Sequence, residues 1–319
     1  MNLDHPVLSA LLPVVFLICI GVVAGRARLV RPESVRDLSN LVFLVLTQAL
    51  LFRTMSQVRI ETLDFAPVAQ YFLVAGLLFA AMLWVYGRDS RASVLALAGI
   101  FSNTLMIGVP LVGLAYGQAG QVLLFTLISL HALILLTAAT LVLELQVARE
   151  RSDASGQRQP LWRTVGIAVR NAVVHPVPMP ILLGLAWAQT GWGLHPVIDR
   201  PLALLGSAFG PVALVLVGIT LSQTPLGARL GEALRLSLVK TVVHPLLMAA
   251  LGWLLGLRGL HLSVMVVAAA LPIGANVFLF SQRYETAQDT ITAAVAVSTV
   301  MALGSVTLAM ALLPLLPGT

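Results

Sequence analysis

Long stretches without a single charged residue are the feature that most restricts how this chain can fold. Asp, Glu, Lys and Arg are all missing from seven stretches: 5–25, 65–87, 92–143, 171–198, 201–228, 259–282 and 290–319. A transmembrane helix needs about 20 mostly apolar residues to cross about 30 Å of hydrocarbon, and each of these stretches is long enough. The pattern therefore predicts an all-α polytopic membrane protein.

The composition excludes the main soluble classes. Only 10% of the 319 residues are charged, against about 25% in a typical soluble domain, and the mean hydropathy is +0.96. So few charges cannot cover the surface of a soluble core of this size. The single cysteine, Cys19, also excludes a disulfide-rich scaffold, which needs paired cysteines.

Ten membrane spans follow from the positions of the charges. The stretch 92–143 is 52 residues long, too long for one crossing, and the polar segment Gly113–Gln121 divides it into spans 4 and 5. Two weaker apolar stretches, 36–56 and 232–256, supply spans 2 and 8. The other uncharged stretches are spans 1, 3, 6, 7, 9 and 10 in chain order.

The basic residues indicate the orientation of these spans. Of the 19 Lys and Arg residues, 15 lie in the loops that would share one side of the membrane. Basic residues are enriched in cytoplasmic loops, so both termini are predicted outside a bacterial-type inner membrane. The formal net charge of +6 then records orientation rather than a nucleic-acid partner.

The long polar loop after span 5 divides the chain into two halves. Residues 1–145 form a first five-helix repeat, residues 146–165 a cytoplasmic linker, and residues 166–319 a second repeat. The second repeat starts on the opposite side of the membrane, so the two have inverted topology. Inverted repeats are frequent in secondary transporters, whose substrate sites lie at the midplane beside discontinuous helices.

The fourth span of each half is predicted to be interrupted near its centre. Both interruptions combine an Asn, a Gly and a Pro: Asn103, Gly108 and Pro110 in span 4, and Pro272, Gly274 and Asn276 in span 9. Proline removes a helix hydrogen bond and frees backbone groups, which a bilayer tolerates only where protein or a wet cavity covers them. The alternative is that these residues merely kink or pack membrane helices.

Several motifs resemble those of the auxin efflux carrier family of membrane transporters, within the bile/arsenite/riboflavin transporter-like superfamily. They are Asn103-Thr-Leu-Met-Ile-Gly-Val-Pro110, Leu271-Pro-Ile-Gly-Ala-Asn276-Val-Phe, Gln282-Arg-Tyr284, Ser298-Thr299, Gly206-Ser-Ala-Phe-Gly-Pro211, and Lys240 with Pro245. The similarity runs along nearly the whole chain. One departure is Gln48, where the family usually has a proline.

The resemblance implies a fold and a mechanism. Spans 4 and 9 would cross at a central site within two inverted five-helix repeats. Spans 1, 2, 6 and 7 would form a scaffold, often dimeric, and spans 3–5 and 8–10 a transport domain that moves as an elevator. The substrates would be small organic anions such as auxin-like or dicarboxylic acids.

A carboxylate substrate needs hydrogen-bond donors at the midplane. Backbone amides freed in the two interruptions, with the positive ends of half-helices, would supply them. The predicted substrate-binding residues are Gln48, Asn103, Thr104, Gly108, Pro110, Lys240, Pro272, Gly274, Asn276 and Ser298. For Ser298 the alternative is a hydroxyl bond to its own helix.

Three ionisable residues in or near the spans have competing interpretations. Lys240, the only lysine, either faces the anionic substrate, or forms a proton-coupled pair with His244 one turn further on the same face, or, as we favour, snorkels toward the cytoplasmic surface. His131, in the middle of span 5, is predicted to hydrogen-bond between helices. Arg53, near the end of span 2, is predicted to anchor the helix at the interface.

The coupling ion and the competing classes complete the prediction. No acidic residue lies in the middle of any span, which argues against a carboxylate relay and leaves H⁺ or Na⁺ coupling open. The alternatives are a sodium-coupled symporter of the bile-acid type and a non-transporting sensor or scaffold with the same fold. The motifs of intramembrane enzymes are missing, so we expect no catalytic residues, cofactor or metal site. Because the basic residues record orientation in the membrane, we also expect no nucleic-acid partner.

Overall fold

The computed structural model describes residues 6–155, 178–224 and 229–315. Thirteen α-helices lie within these ranges: α1 Pro6–Arg26, α2 Pro32–Leu41, α3 Thr47–Met55, α4 Ala66–Tyr86, α5 Ser90–Ile100, α6 Val109–Ser155, α7 Pro178–Thr190, α8 Pro196–Gln223, α9 Leu230–Leu238, α10 His244–Leu254, α11 Gly259–Ala270, α12 Ala275–Arg283 and α13 Gln288–Leu312. In the same ranges, strand-type pairing is limited to one isolated bridge. The predicted all-α class is therefore confirmed.

Six segments of the described chain are long and apolar enough to cross a membrane. They are Glu33–Met55, Ala66–Tyr86, Thr104–Leu143, Pro196–Gln223, Leu230–Leu254 and Gln288–Leu315. Three shorter apolar helices accompany them, at Leu11–Arg26, Ser90–Ile100 and Gly259–Ala270. The chain thus has the helices of a multi-pass membrane protein. The predicted location of the two termini concerns residues outside the described ranges.

Some predicted boundaries need correction. The stretch 92–143 is divided as expected, because α6 contains a break at Gly117, whose φ of +61° suits glycine. However, α6 continues to Ser155, so residues 146–155 of the predicted linker are helical, and the rest of the linker falls outside the described residues. The helix α8 begins at Pro196 rather than at residue 201, because proline suits the first turn of a helix.

The helices α1 and α8 cross at unusually close range through two glycines. A methyl group added at Gly21 would lie 2.0 Å from the Val215 carbonyl oxygen, and one added at Gly218 would lie 2.0 Å from the Ile18 carbonyl oxygen. Small residues let membrane helices approach until their backbones touch, which maximises van der Waals contact. This crossing ties the beginning of the first predicted repeat to the second.

Each of three π-helical turns ends two residues before a proline or, in one case, before a glutamine. The turns are Val42–Leu46, Thr104–Gly108 and Val239–Val243, and the residues two places after them are Gln48, Pro110 and Pro245. Proline lacks the amide hydrogen that a regular helix needs, which explains two of the turns. At the third, the Gln48 side-chain amide donates to the Phe43 carbonyl oxygen at 3.0 Å. Gln48, at the position where the resemblance leads us to expect a proline, thus leaves the π-helical turn in place.

Candidate functional site

Two helix interruptions lie against each other in the centre of the molecule. The helix α5 ends at Ile100 and α11 ends at Ala270, and the chain is non-helical over residues 101–103 and 271–274. The Asn103 amide donates to the Pro272 carbonyl oxygen at 2.8 Å, and the Gly274 amide donates to the Phe101 carbonyl oxygen at 2.9 Å. Backbone groups freed by each interruption are thus satisfied by the other, which stabilises both far from water.

Buried side chains hold the second interruption in place. The Lys240 ammonium donates to the carbonyl oxygens of Ala269 and Leu271, at 2.5 and 2.8 Å. The Ile273 amide donates to the Ser298 hydroxyl at 3.1 Å. These contacts satisfy carbonyls that the end of α11 leaves unpaired and an amide that has no helical acceptor.

The position of Lys240 contradicts the snorkelling interpretation. Its side chain is 0% exposed, and its ammonium lies at the carboxyl end of α11, where the helix dipole is negative and favours a cation. Backbone carbonyls 29 and 31 residues away in the sequence attract the ammonium more strongly than the membrane surface does. Lys240 therefore acts as a cap on a broken helix.

Two helix N-termini converge just beyond the interruptions. The nine-residue α12 begins at Ala275, and its N-cap residue Gly274 offers no side-chain acceptor. The turn that leads into α6 begins at Thr104, with the Asn103 side chain accepting from the Met106 amide at 3.3 Å. Unpaired amides and helix dipoles make N-termini favourable places for an anion.

A cavity of about 220 Å³ lies between these N-termini. Its polar lining comes from Ser102, Asn103, Thr104, His131 and Asn276, and the rest of the lining is Phe43, Phe101, Leu105, Met106, Ile128, Ala132, Gly274, Ala275 and Leu279. No carboxylate is among these lining residues. The cavity therefore offers amide and imidazole groups, two helix N-termini and no negative charge, which suits a small anion.

The structure places the predicted site residues in three groups. Asn103, Thr104, Gly274 and Asn276 line the cavity. Pro272, Ser298 and Lys240 belong to the hydrogen-bonded frame behind it.

The remaining three, Gly108, Pro110 and Gln48, lie away from the central cavity lining. Gly108 packs against Leu271, whose methyl carbon would lie 2.7 Å from an added Cβ. Gln48 bonds to its own helix. Pro110 lines a second cavity.

That second cavity, of about 660 Å³, separates two groups of helices. One wall comes from α1, α3 and α8 and includes Pro13, Arg53 and Gly206, whereas the other comes from the α6 segment that runs from Val109 to Gln121. Arg53 donates from Nε and Nη2 to the Asp199 carboxylate, at 2.7 and 3.1 Å. The arginine predicted to be an interfacial anchor thus joins α3 to α8 at the edge of this cavity.

His131 is the one ionisable residue among the lining residues, and the sequence prediction did not assign it to the site, nor the polar Ser102 beside it. His131 is only 2% exposed. The imidazole ring packs against the Phe101 ring, with 4.5 Å between the two ring centroids, and its Nε2 lies 3.5 Å from the Tyr71 hydroxyl oxygen. The predicted interhelical contact is thus present, at the long limit of a hydrogen bond. The signal in the sequence was an ionisable residue in mid-span, which is costly and usually functional.

The broken, mutually bonded helices around a polar cavity in a multi-pass helical protein are typical of membrane transporters. Comparison with known families agrees, because the model of the family described as "Membrane transport protein" matches residues 6–310. The chain therefore belongs to this family, which is that of the auxin efflux carriers, and it is a transporter rather than an enzyme.

Curated relatives cover almost the whole chain. The chain is 23% identical to "Auxin efflux carrier component 8" of Arabidopsis thaliana, over 94% of this chain and 95% of that protein. It is 27% identical to a "Putative malonate transporter" of Rhizobium meliloti, over 93% of this chain and 92% of that protein. An "Uncharacterized transporter" of Methanothermobacter thermautotrophicus is 21% identical over 94% of this chain and 96% of that protein. Transport is thus the shared theme of these relatives.

Proposed function

We propose that this protein is a secondary active carrier that moves a small organic anion, a carboxylate, across the bacterial inner membrane. The observation that carries the proposal is the central cavity, which two helix N-termini border and which Asn103 and Asn276 line without any carboxylate. Helix N-termini favour anions, and a volume of about 220 Å³ suits a small molecule. The resemblance to a named malonate transporter makes malonate the first substrate to test.

The proposal includes an elevator movement between two groups of helices. Ten spans in two inverted repeats would place α1, α3, α7 and α8 in a scaffold, with both termini outside, and would place the two interruptions in the moving domain. Two observations support this division. The α1–α8 crossing is packed backbone to backbone, whereas the 660 Å³ cavity separates the scaffold wall from the α6 segment that bears Pro110. A homodimer through the scaffold is part of the same proposal.

Malonate binding and transport are the direct tests. Purified protein in detergent is screened by thermal shift against malonate, other mono- and dicarboxylates and indole-3-acetate, because a ligand that prefers the native state raises the melting temperature. Uptake of labelled malonate into proteoliposomes then separates a carrier from a sensor or scaffold. Uptake with and without a sodium gradient separates the proposed carrier from a sodium-coupled symporter of the bile-acid type.

Aspartate substitutions test the site without destabilising the helices. Asn276→Asp places a negative charge in the first turn of α12, where it favours the helix, and Asn103→Asp keeps the acceptor that caps the Met106 amide. A carboxylate about 5 Å from a bound anion at an effective dielectric constant of about 20 opposes binding by about 3 kcal/mol, or more than 100-fold. We expect both variants to lose malonate binding at pH 7.5 with melting temperatures unchanged.

The matched control is Asn40→Asp, because Asn40 is exposed on α2 and is not among the residues that line the cavity. It should bind malonate as the wild-type protein does. Failure of the wild-type protein to bind any carboxylate of the screen, or full binding by both cavity variants, would overturn the proposed function.

A further inference from the structure

A cluster of buried ionisable side chains lies behind the central cavity. The Tyr71 hydroxyl of α4 lies 2.9 Å from the Ser102 hydroxyl oxygen and 3.5 Å from His131 Nε2. On the other side of Tyr71, the ring of His244 packs with its centroid 5.4 Å from that of Tyr71. The cluster thus extends from the cavity lining at His131 to the interior of the helix bundle at His244.

One side chain of the cluster, His244, lacks hydrogen-bond partners for its ring nitrogens in the described ranges. His244 is also 0% exposed. A neutral imidazole always carries one N–H group, and a buried polar group without a partner costs about 1–3 kcal/mol. A buried group without a partner therefore calls for an explanation, and availability for a proton or a ligand is the explanation that the neighbouring cavity suggests.

The charges that face the cluster are unusually one-sided. Tyr71 belongs to α4 and His131 to α6, and Lys240 lies in the π-helical turn that immediately precedes His244. None of the buried polar residues in the described ranges is an Asp or a Glu. Within the described ranges, no buried carboxylate can therefore offset a positive charge at this cluster, and an anion in the cavity would supply that negative charge.

We propose that His131 binds a proton together with the transported anion, so that the carrier is a proton–anion symporter. His131 is assigned because, of the two clustered histidines, it is the one that lines the cavity. The proton comes from the aqueous side to which the cavity opens, forms an N–H bond on the imidazole, and leaves on the other side with the anion. Uptake breaks an O–H bond of hydronium and leaves water behind, release breaks the same N–H bond and re-forms hydronium, and no other covalent bond changes. The inference rests on the proposed function and names its coupling ion.

Linkage makes the proposal quantitative. If the anion favours the protonated imidazole, the protonated imidazole favours the anion by the same factor. Malonate affinity should therefore fall as pH rises between 7 and 8.5, a range in which both carboxyl groups of malonate itself stay ionised. For one linked proton the loss approaches about tenfold per pH unit between the titration of the empty site and that of the anion-bound site.

Proton uptake by the wild-type protein is the first measurement. Isothermal titration of malonate into purified protein at pH 7.5, in two buffers with different ionisation enthalpies, counts the protons taken up per malonate bound. We expect a value approaching one proton, as required by a single linked site. Malonate binding with zero proton uptake and no pH dependence would overturn the inference and leave the proposed function standing. Failure of every carboxylate to bind would instead overturn the proposed function.

Two substitutions locate the proton. His131→Gln keeps a polar side chain that hydrogen-bonds but cannot titrate, so it should bind malonate with the lower affinity of the unprotonated site and should lose both proton uptake and pH dependence. The matched control His261→Gln changes a partly exposed histidine paired with Asp64 at 3.7 Å and should behave as wild type.

If His131→Gln does not fold, the number of protons that the wild-type protein takes up per malonate still shows whether proton binding accompanies malonate binding. The His244→Gln variant then tests which of the two histidines binds the proton. His244→Gln should retain proton uptake. Loss of uptake in His244→Gln would overturn the assignment to His131.

The flux measurement is independent of binding. In proteoliposomes loaded at pH 8 and diluted into pH 6.5, an inward proton gradient should drive malonate accumulation by the wild-type protein and by His261→Gln. The accumulation should collapse when a protonophore dissipates the gradient. Accumulation that ignores the protonophore and follows a sodium gradient instead would overturn proton coupling.

Discussion

Gly274→Ala is the substitution that most directly tests whether contact between the two interruptions is required for transport. Gly274 has φ −72° and ψ 143°, a backbone conformation that alanine adopts readily. The predicted effect therefore arises from packing alone. An added methyl carbon would lie 2.8 and 3.0 Å from two ring carbons of Phe101 and 3.1 Å from the Ser102 carbonyl oxygen.

These distances set the size of the effect. Carbon atoms pack at about 3.5 Å or more, so the methyl group lacks about 0.7 Å of room. The Phe101 ring is held by His131 at 4.5 Å, and backing away would stretch the 2.9 Å bond from the Gly274 amide to the Phe101 carbonyl oxygen. Overpacking of this kind costs about 1–3 kcal/mol, which lowers the melting temperature of a 319-residue chain by about 1.5–4.5 °C, at an unfolding entropy of about 2.1 cal/mol/K per residue.

The assay combines the melting temperature in detergent with malonate uptake in proteoliposomes. Because Phe101 and Gly274 both line the central cavity, we expect uptake by Gly274→Ala to fall at least tenfold. The control is Gly76→Ala, since an added methyl group at Gly76 in α4 meets nothing within 4 Å. If Gly274→Ala matches Gly76→Ala in both stability and uptake, the contact between the interruptions is not the critical element that we describe.

Two further substitutions test the hydrogen-bonded frame behind the cavity and the close crossing of α1 and α8. Ser298→Ala leaves the buried Ile273 amide without its 3.1 Å acceptor, which should destabilise the protein by about 1–3 kcal/mol; an unchanged melting temperature would refute this assignment. Gly21→Ala should lower the melting temperature more than any variant above, because the methyl group would lie 2.0 Å from the rigid Val215 carbonyl oxygen. A stable Gly21→Ala protein with normal elution on gel filtration would show that α1 and α8 are not locked at this crossing.

Much of the helical organisation could be predicted because it depends on local chemistry. The uncharged stretches indicate where helices lie, since burial of a charge in hydrocarbon is expensive. The Asn, Gly and Pro residues indicate where two of them break, since proline and glycine act on their own backbone. Four predicted site residues, Asn103, Thr104, Gly274 and Asn276, line the cavity for the same reason: each is within a few residues of a break.

The differences concern residues whose contacts the apolar pattern does not reveal, whether the partner is near or far in the sequence. Gln48 replaces an expected proline, yet its amide preserves the π-helical turn by bonding to the Phe43 carbonyl oxygen. The placement of Pro110 at the larger cavity depends on how α6 packs against α1 and α8. Apolar periodicity cannot resolve such differences in helices that are hydrophobic all round.

The sequence by itself determined that this chain enters a membrane as helices, that two of those helices break, and which residue types lie at the breaks. Tertiary structure alone decided what the breaks do. It brought Phe101 and Asn103 against Gly274 and Pro272, and it directed Lys240 to carbonyls on another helix instead of to the membrane surface. The physical reason is that a broken helix leaves unsatisfied groups whose partners depend on which helix packs beside it, and that choice is made by the whole fold.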